Sequence, residues 1–325
     1  MKIVQTGSDI EQVQKGTVLT IGNFDGVHLG HQQILRAARQ LADERKTELA
    51  VMTFDPHPAA ILHPERAPGL LTPLACKSRL LESMGVDLLI VITDSLMLLN
   101  LSPKDFVDRF LMKHPAPCAV VEGPNFTFGY GRSGDVHTLR ELGQQRGFEV
   151  VEVPYTKIPR LDQTQDIICS SSVIRQCLER GQVDQAAAML TREYRLIGKT
   201  VPGRGVGRSL GFPTANIISE NQIIPAEGVY AGYVVVADDP DSPCVGGIKR
   251  PSAFSIGRAK TFISDHPLLV EAHLLEPNVE SLYGKYLAME FVKLIRTQRR
   301  FESPEALKEQ ITKDCQAVLS ILEDQ

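Results

Sequence analysis

The sequence predicts an α/β domain followed by an all-β domain, and three observations carry this. Over the first half, apolar runs alternate with amphipathic stretches of helical length, the pattern of βαβ units around a parallel sheet. After Tyr194 helical periodicity disappears until the end, and short β-rich runs punctuated by Gly and Pro suggest a sandwich or barrel. Between the first strong strand and the first strong helix lies Gly22-Asn23-Phe24-Asp25-Gly26-Val27-His28-Leu29-Gly30-His31. A glycine turn at the carboxyl end of a strand, opening a helix, is where an α/β sheet places an anion.

The apolar run Thr17-Val18-Leu19-Thr20-Ile21 opens the first predicted strand, 17–22, and the others in this half are 48–54, 87–92, 117–122 and 148–153. In the helix 31–45, residues Ile34, Leu35, Ala38, Leu41 and Ala42 recur at helical spacing. Further helices are predicted at 75–84, 103–112 and 135–146. The loops after 22, after Phe54 (Asp55-Pro56-His57-Pro58) and after Glu122 (Gly123 to Arg132) all fall on the sheet edge where ligands bind. Residues 155–169 read as a polar, irregular, mobile connection. Ser170-Ser171-Ser172 opens a helix, and a short second one spans about 182–190. The β-rich runs are 196–201, 229–236, 253–257, 268–275 and 286–296, and Ser303-Pro304 starts a closing helix.

Length and composition fit this plan. The 325 residues suggest two domains, each long enough to bury a core, with 43% hydrophobic and 23% charged residues. A net charge of −4 argues against a general nucleic-acid binder. No apolar run approaches the ~20 residues of a membrane helix, and the N-terminus has no signal-peptide core. The cysteines at 76, 118, 169, 177, 244 and 315 show no paired spacing, so reduced thiols in a cytoplasmic protein are expected.

Four segments carry chemistry. His28 and His31 can donate hydrogen bonds to phosphate; structural histidines or a metal pair are the alternatives, and no third ligand stands at zinc spacing. Ser170 to Arg175 is an ordinary helix cap or, with its hydroxyls and arginine, a phosphate grip. Gly203-Arg204-Gly205-Val206-Gly207-Arg208-Ser209-Leu210-Gly211-Phe212-Pro213-Thr214-Ala215-Asn216 reads as a flexible phosphate cover followed by two oxygen donors, Thr214 and Asn216, suited to Mg²⁺. Glu271, inside an apolar strand, is a solvent-facing position or a general base.

Together these segments resemble the prokaryotic bifunctional riboflavin kinase/FAD synthetases over about residues 15–322. Further marks are Thr53 to Pro58, Asn125-Phe126-Thr127-Phe128-Gly129, Gly228-Val229-Tyr230 and Leu282-Tyr283-Gly284. The resemblance implies a Rossmann-like nucleotidyltransferase domain, residues 1–186, and a six-stranded antiparallel Greek-key β-barrel with a terminal helix, residues 187–325. It implies phosphorylation of riboflavin to FMN, then adenylylation of FMN to FAD with release of pyrophosphate. The implied catalytic residues are His28, His31 and Glu271. Gly22, Phe24, Asp25, Gly30, Ser171, Ser172 and Arg175 would bind ATP for adenylyl transfer, and Asn125, Phe126 and Phe128 the flavin. In the kinase, Gly203, Gly205, Gly207, Gly211, Pro213, Thr214 and Asn216 would bind ATP, with Thr214 and Asn216 on Mg²⁺.

FMN and FAD are then substrate and product, not prosthetic groups. The expected partners are ATP, riboflavin and FMN, with no nucleic acid or membrane, in a monomer or weak homo-oligomer. Departures from the family pattern cluster in the kinase half: Pro202, Ser255 to Phe262, Glu276-Pro277 and an unusual loop at 237–252. Two alternatives follow, an FAD synthetase with a weakened kinase and a flavin-binding regulator without turnover.

Overall fold

The computed structural model describes residues 1–6, 10, 13–161, 165–203, 207, 210–244, 246–258, 268–277 and 281–323. The chain divides into two compact units. The first comprises Met1–Pro68, Lys77–Pro159 and Gln163–Cys169; the second Gly69–Cys76, Arg160–Asp162 and Ser170–Gln325.

The first unit is built on a parallel sheet of β1 (Lys2–Gln5), β2 (Val18–Ile21), β3 (Leu49–Phe54), β4 (Leu88–Ile92), β5 (Ala119–Glu122) and β6 (Glu149–Glu152), in the order β1-β4-β3-β2-β5-β6. Strands β2, β4 and β5 are buried at every residue and read as near-continuous apolar runs, broken only by Thr20 and Glu122, as strands covered on both faces do. From β2 the chain runs to β3 and β4 on one side, then returns to β5 on the other. The switch point, where a crevice opens at the carboxyl ends of the strands, therefore lies between β2 and β5. Helices α1 (Leu29–Arg45), α2 (Leu74–Ser83) and α3 (Val136–Arg146) alternate with the strands. Edge strand β1 is absent from the sequence reading, where its four residues lack a strand-length apolar run; it pairs in parallel with Leu88–Val91. The helix read at 103–112 is a single α-turn continued by a π-helix over Phe106–Leu111.

The 155–169 connection differs from the mobile loop expected of it. Lys157–Pro159 and Asp166–Ile168 form an antiparallel pair, with Ile158 buried. Its polarity reflects a strand pair with one exposed face, which two three-residue strands cannot announce by periodicity.

The second unit is a closed antiparallel barrel of β7 (Tyr194–Val201), β8 (Ala215–Ile218), β9 (Gly228–Ala237), β10 (Arg250–Arg258), β11 (Leu268–Leu274) and β12 (Tyr286–Arg296), ordered β7-β8-β11-β10-β9-β12. Tyr194, Tyr230, Phe254 and Phe291 fill it; Phe291 lies 5.0 Å from the ring of Phe254 and 5.3 Å, edge-on, from Tyr230. Strand β8 was not separated from the glycine loop by sequence, because only four of its residues are extended.

Helices α4 (Ser171–Glu179) and α5 (Val183–Leu190) belong to this unit by contact, and α6 (Pro304–Glu323) closes it. The Ser303 hydroxyl caps α6, accepting from Ala306 N at 3.1 Å. Arg296 on β12 donates from Nε and Nη2 to the buried carboxylate of Asp314, with Nη2 at 2.7 Å. Removing one partner of such a pair strands the other's charge, so Asp314→Ala is expected to cost about 3 kcal/mol. Thermal unfolding of the variant measures this.

The cysteines differ from the sequence reading. Cys76 and Cys244 are disulfide-bonded across 168 positions of sequence. Their pairing is a product of topology, which spacing does not reveal. Cys244 sits in the unusual loop before β10, while Cys118, Cys169, Cys177 and Cys315 are free.

Candidate active sites

The Gly22–His31 turn leaves the carboxyl end of β2 and enters α1. Gly22 still belongs to the sheet, donating from its N–H to the Met52 carbonyl at 2.9 Å. His28 is the N-cap of α1, and its Nδ1 accepts from the His31 N–H at 3.4 Å. The helix therefore starts two residues earlier than its apolar periodicity indicates, and both histidines sit at its amino end. Their rings stack at 3.7 Å, with Phe24 tilted 5.0 Å from His31. With Nδ1 of His28 engaged as an acceptor, its N–H points from Nε2. Burial, then the neighbouring His28 and Lys77, hold the His31 imidazole well below its usual value, so it is neutral at pH 7.

Gly30 is tied to this packing. A Cβ there would stand 3.2 Å from His28 Cε1 and 3.3 Å from the Cys169 carbonyl. Asp25 is buried in the turn. The side-chain oxygen of Asn23 is enclosed with no hydrogen-bond partner among the described residues.

Sequence reasoning missed the role of Glu122. Strands β2 and β5 are in register at only two pairs, Val18–Ala119 and Leu19–Val120. Beyond them the Glu122 carboxylate replaces the ladder, accepting from Ile21 N at 2.5 Å and Thr20 Oγ1 at 3.4 Å. Burial pushes this carboxyl well up, against the donors Ile21 N–H, Thr20 hydroxyl and Gly123 N–H. A side chain thus takes the place of ladder hydrogen bonds between the two strands where the crevice opens. The strand pattern around Glu122 is apolar, and the lone acid within it was the available signal.

Asn125 is exposed in the loop after β5, and Phe126 is half-buried against the core. Phe128 is 7% exposed, stacked at 5.5 Å on Phe126 and tilted against Phe106, so its ring belongs to the core beneath Phe126. Ser171, Ser172 and Arg175 open α4 in the second unit. Ser170 Oγ caps that helix at 3.3 Å from Val173 N, and Arg175 Nε donates to the Gly69 carbonyl at 2.7 Å.

The barrel brings its predicted residues together. Asn216 on β8 is in register with Glu271 on β11, and Glu271 with Ser255 on β10. Directly opposed residues share a face of the sheet, so the three form a row. The Thr214 hydroxyl donates to Glu271 Oε1 at 3.3 Å. Gly203 and Gly207 lie against these donors: a Cβ at 203 would overlap the Asn216 amide, and one at 207 would meet the Thr214 hydroxyl at 3.3 Å. Gly205 lies outside the described residues, as do 259–262 of the altered segment.

Two cavities meet beside this row, at Thr214 and His273. The larger, about 950 Å³, holds Asn216, Ser255 and Glu271, with apolar Val229, Phe301 and Leu307. The smaller, about 570 Å³, is lined by Gly211, Pro213, Leu282 and Tyr283. Thr214 and His273 line both. His273, not singled out by sequence, fixes the Pro-Thr-Ala-Asn segment through an Nδ1 contact of 2.8 Å with the Pro213 carbonyl.

Comparison with known proteins decides the family. The FAD synthetase family matches residues 10–172 and the riboflavin kinase family residues 190–322. The bifunctional riboflavin kinase/FMN adenylyltransferase of Bacillus subtilis (strain 168) is 36% identical over 315 residues, covering 95% of this chain and 94% of its own. The chain belongs to the bifunctional riboflavin kinase/FMN adenylyltransferase family. It is an enzyme with both activities, using ATP and flavins as substrates.

The Escherichia coli (strain K12) family member is 33% identical over 319 residues, covering 97% of this chain and 96% of its own. A solved structure titled as a macrolide-efflux protein from Streptococcus pneumoniae is 25% identical, with a TM-score of 0.83 over 98% of this chain and 99% of that one. Among the described residues no helix is long and apolar enough to cross a membrane.

Proposed function

We propose that the Gly22–His31 turn is the ATP site of FMN adenylyl transfer, and that Thr214, Asn216 and Glu271 carry riboflavin phosphorylation. The functional division would be residues 1–186 and 187–325. The observation that carries the kinase reading is the Thr214–Glu271 contact where two cavities meet.

In adenylyl transfer, an FMN phosphate oxygen forms a bond to the α-phosphorus of ATP while the bond to the pyrophosphate leaving group breaks. The nucleophile is already an anion, so no protein base is needed. Charge gathers on the α-phosphoryl oxygens, and the N–H groups of His28 and His31, with the amino end of α1, stabilise it there. Gly22, Phe24, Asp25 and Gly30 shape the turn for ATP. Asn125 and Phe126 hold the flavin, with Phe128 bracing Phe126 from the core. Ser171, Ser172 and Arg175 remain proposed phosphate ligands; the FAD synthetase match includes the two serines.

In phosphorylation, Glu271 takes the proton of the ribityl hydroxyl as its oxygen attacks the γ-phosphorus and ADP leaves. The apolar lining of the larger cavity suits the flavin ring. The smaller one, beside Gly211 and Pro213, suits the nucleotide, and Gly203 and Gly207, which line the larger one beside Asn216, would approach its phosphates from that side. A hydroxyl, a carboxamide and one carboxylate form a sparse hard-oxygen set, which fits Mg²⁺ that shares its coordination with nucleotide phosphates. Thr214 and Asn216 would hold the ion, and it would neutralise the transferring phosphoryl oxygens. We place the protein in the cytoplasm, where its ATP is supplied, without nucleic-acid or membrane partners and as a monomer or weak homo-oligomer. There the Cys76–Cys244 bond would be open to reduction.

The test incubates the purified chain with ATP and Mg²⁺, with riboflavin or FMN separately, and resolves the flavins. FMN and FAD from riboflavin support both assignments. FAD from FMN alone, with riboflavin untouched, would favour a weakened kinase, the reading that Ser255 and its altered neighbours keep open. Flavin binding without ATP consumption would favour a regulator.

A further inference from the structure

Beneath the phosphate turn lies a buried cation that the chemistry above does not use. Lys77 on α2 is 6% exposed. Its Nζ donates to the Asn23 carbonyl at 2.9 Å and to Thr53 Oγ1 at 3.3 Å. The fully buried Thr53 hydroxyl donates to the same carbonyl at 3.1 Å, closing a triangle under the turn. Thr53 already satisfies that carbonyl, so a second donor bearing a buried charge exceeds what turn closure requires. Burying an ammonium carries a large desolvation cost unless opposite charge compensates it.

The compensating groups identify what the charge is for. Asp25 in the turn and Asp55 at the end of β3 both attract the Lys77 ammonium, against the burial that lowers its pKa. Asp25 is itself buried in the segment that would receive a triphosphate. Without Lys77, Asp25 in the turn and the neighbouring Asp55 would face a polyanion with this cation no longer beside them. The same ammonium, with His28, disfavours a proton on His31.

We propose that Lys77 is a positioning residue for adenylyl transfer: it pins the Asn23 carbonyl that sets the path of the turn, and it offsets Asp25 and Asp55 so that the triphosphate can enter. This rests on the adenylyl-transfer site proposed above.

The test measures FAD formation from FMN and ATP by the full-length protein carrying Lys77→Met, Thr53→Val or His31→Ala. Riboflavin phosphorylation by the same preparations controls for folding. Lys77→Met is expected to lower kcat/KM for ATP in FAD formation by about 10- to 100-fold, with KM raised more than kcat is lowered. The NMR titration of His31 should move to higher pH. Riboflavin phosphorylation should be retained. Thr53→Val removes two hydrogen bonds of the triangle but no charge, so its loss should be smaller and the His31 titration unmoved.

The proposal is overturned if Lys77→Met keeps FAD formation near the unaltered rate, matches Thr53→Val, leaves the His31 titration in place, or lowers both activities alike. If His31→Ala keeps FAD formation, the site assignment itself fails. Abolition by His31→Ala with full activity of Lys77→Met rejects the Lys77 role alone.

Discussion

Replacing His31 with alanine is expected to abolish FAD formation, by about 10²–10³-fold in kcat, and to leave riboflavin phosphorylation intact. The ring stacks on His28 at the amino end of α1, where the adenylyl phosphate gathers charge. Removing it deletes an N–H donor and the partner that holds the His28 ring. Flavin products resolved by chromatography from riboflavin and from FMN measure the two activities separately. Loss of both would argue for misfolding or a shared site. The same imidazole gives a pH signature. Its folded value lies below the unfolded 6.5, so the unfolded chain takes up the proton first. The stability this group contributes is full above pH 6.5 and is lost as pH falls from there through the lower folded value. Midpoints of urea unfolding between pH 7 and 5 should fall less steeply for His31→Ala.

Glu271→Gln should do the reverse. The amide keeps the size and the place in the Asn216–Glu271–Ser255 row but cannot accept a proton, so FMN formation should fall by about 10²–10⁴-fold. FAD formation from added FMN should persist. Steady-state assays with each flavin decide it: a kinase rate within a few-fold of the unaltered enzyme would remove Glu271 from the base role. A KM for riboflavin that rises while kcat holds would instead make it a binding residue.

Much of this was legible in the residues. The parallel sheet follows from largely apolar strands alternating with amphipathic helices, and the turn after β2 follows from Gly and His at a strand-to-helix junction. The row in the barrel was half visible. Asn216 and Glu271 were named from motif and context, but their opposition depends on register across β8 and β11. Register joins segments 55 positions apart, which local pattern does not encode. Ser255 was noticed as a departure, and only the fold puts it beside Glu271. Glu122 and Lys77 stayed hidden for a related reason. A buried charge is recognised by what surrounds it, and those partners come from other strands. The strand β8 and the paired strands Lys157–Pro159 and Asp166–Ile168 are too short for a period of two to stand out.

The bond between Cys76 and Cys244 makes a ring of the intervening chain, and nearly all of the first unit's sequence after α2 begins lies inside it. A protease that cuts once anywhere between residues 77 and 243 therefore opens the ring without releasing a piece. The nicked protein should run as one band on a denaturing gel without reductant and as two bands after dithiothreitol.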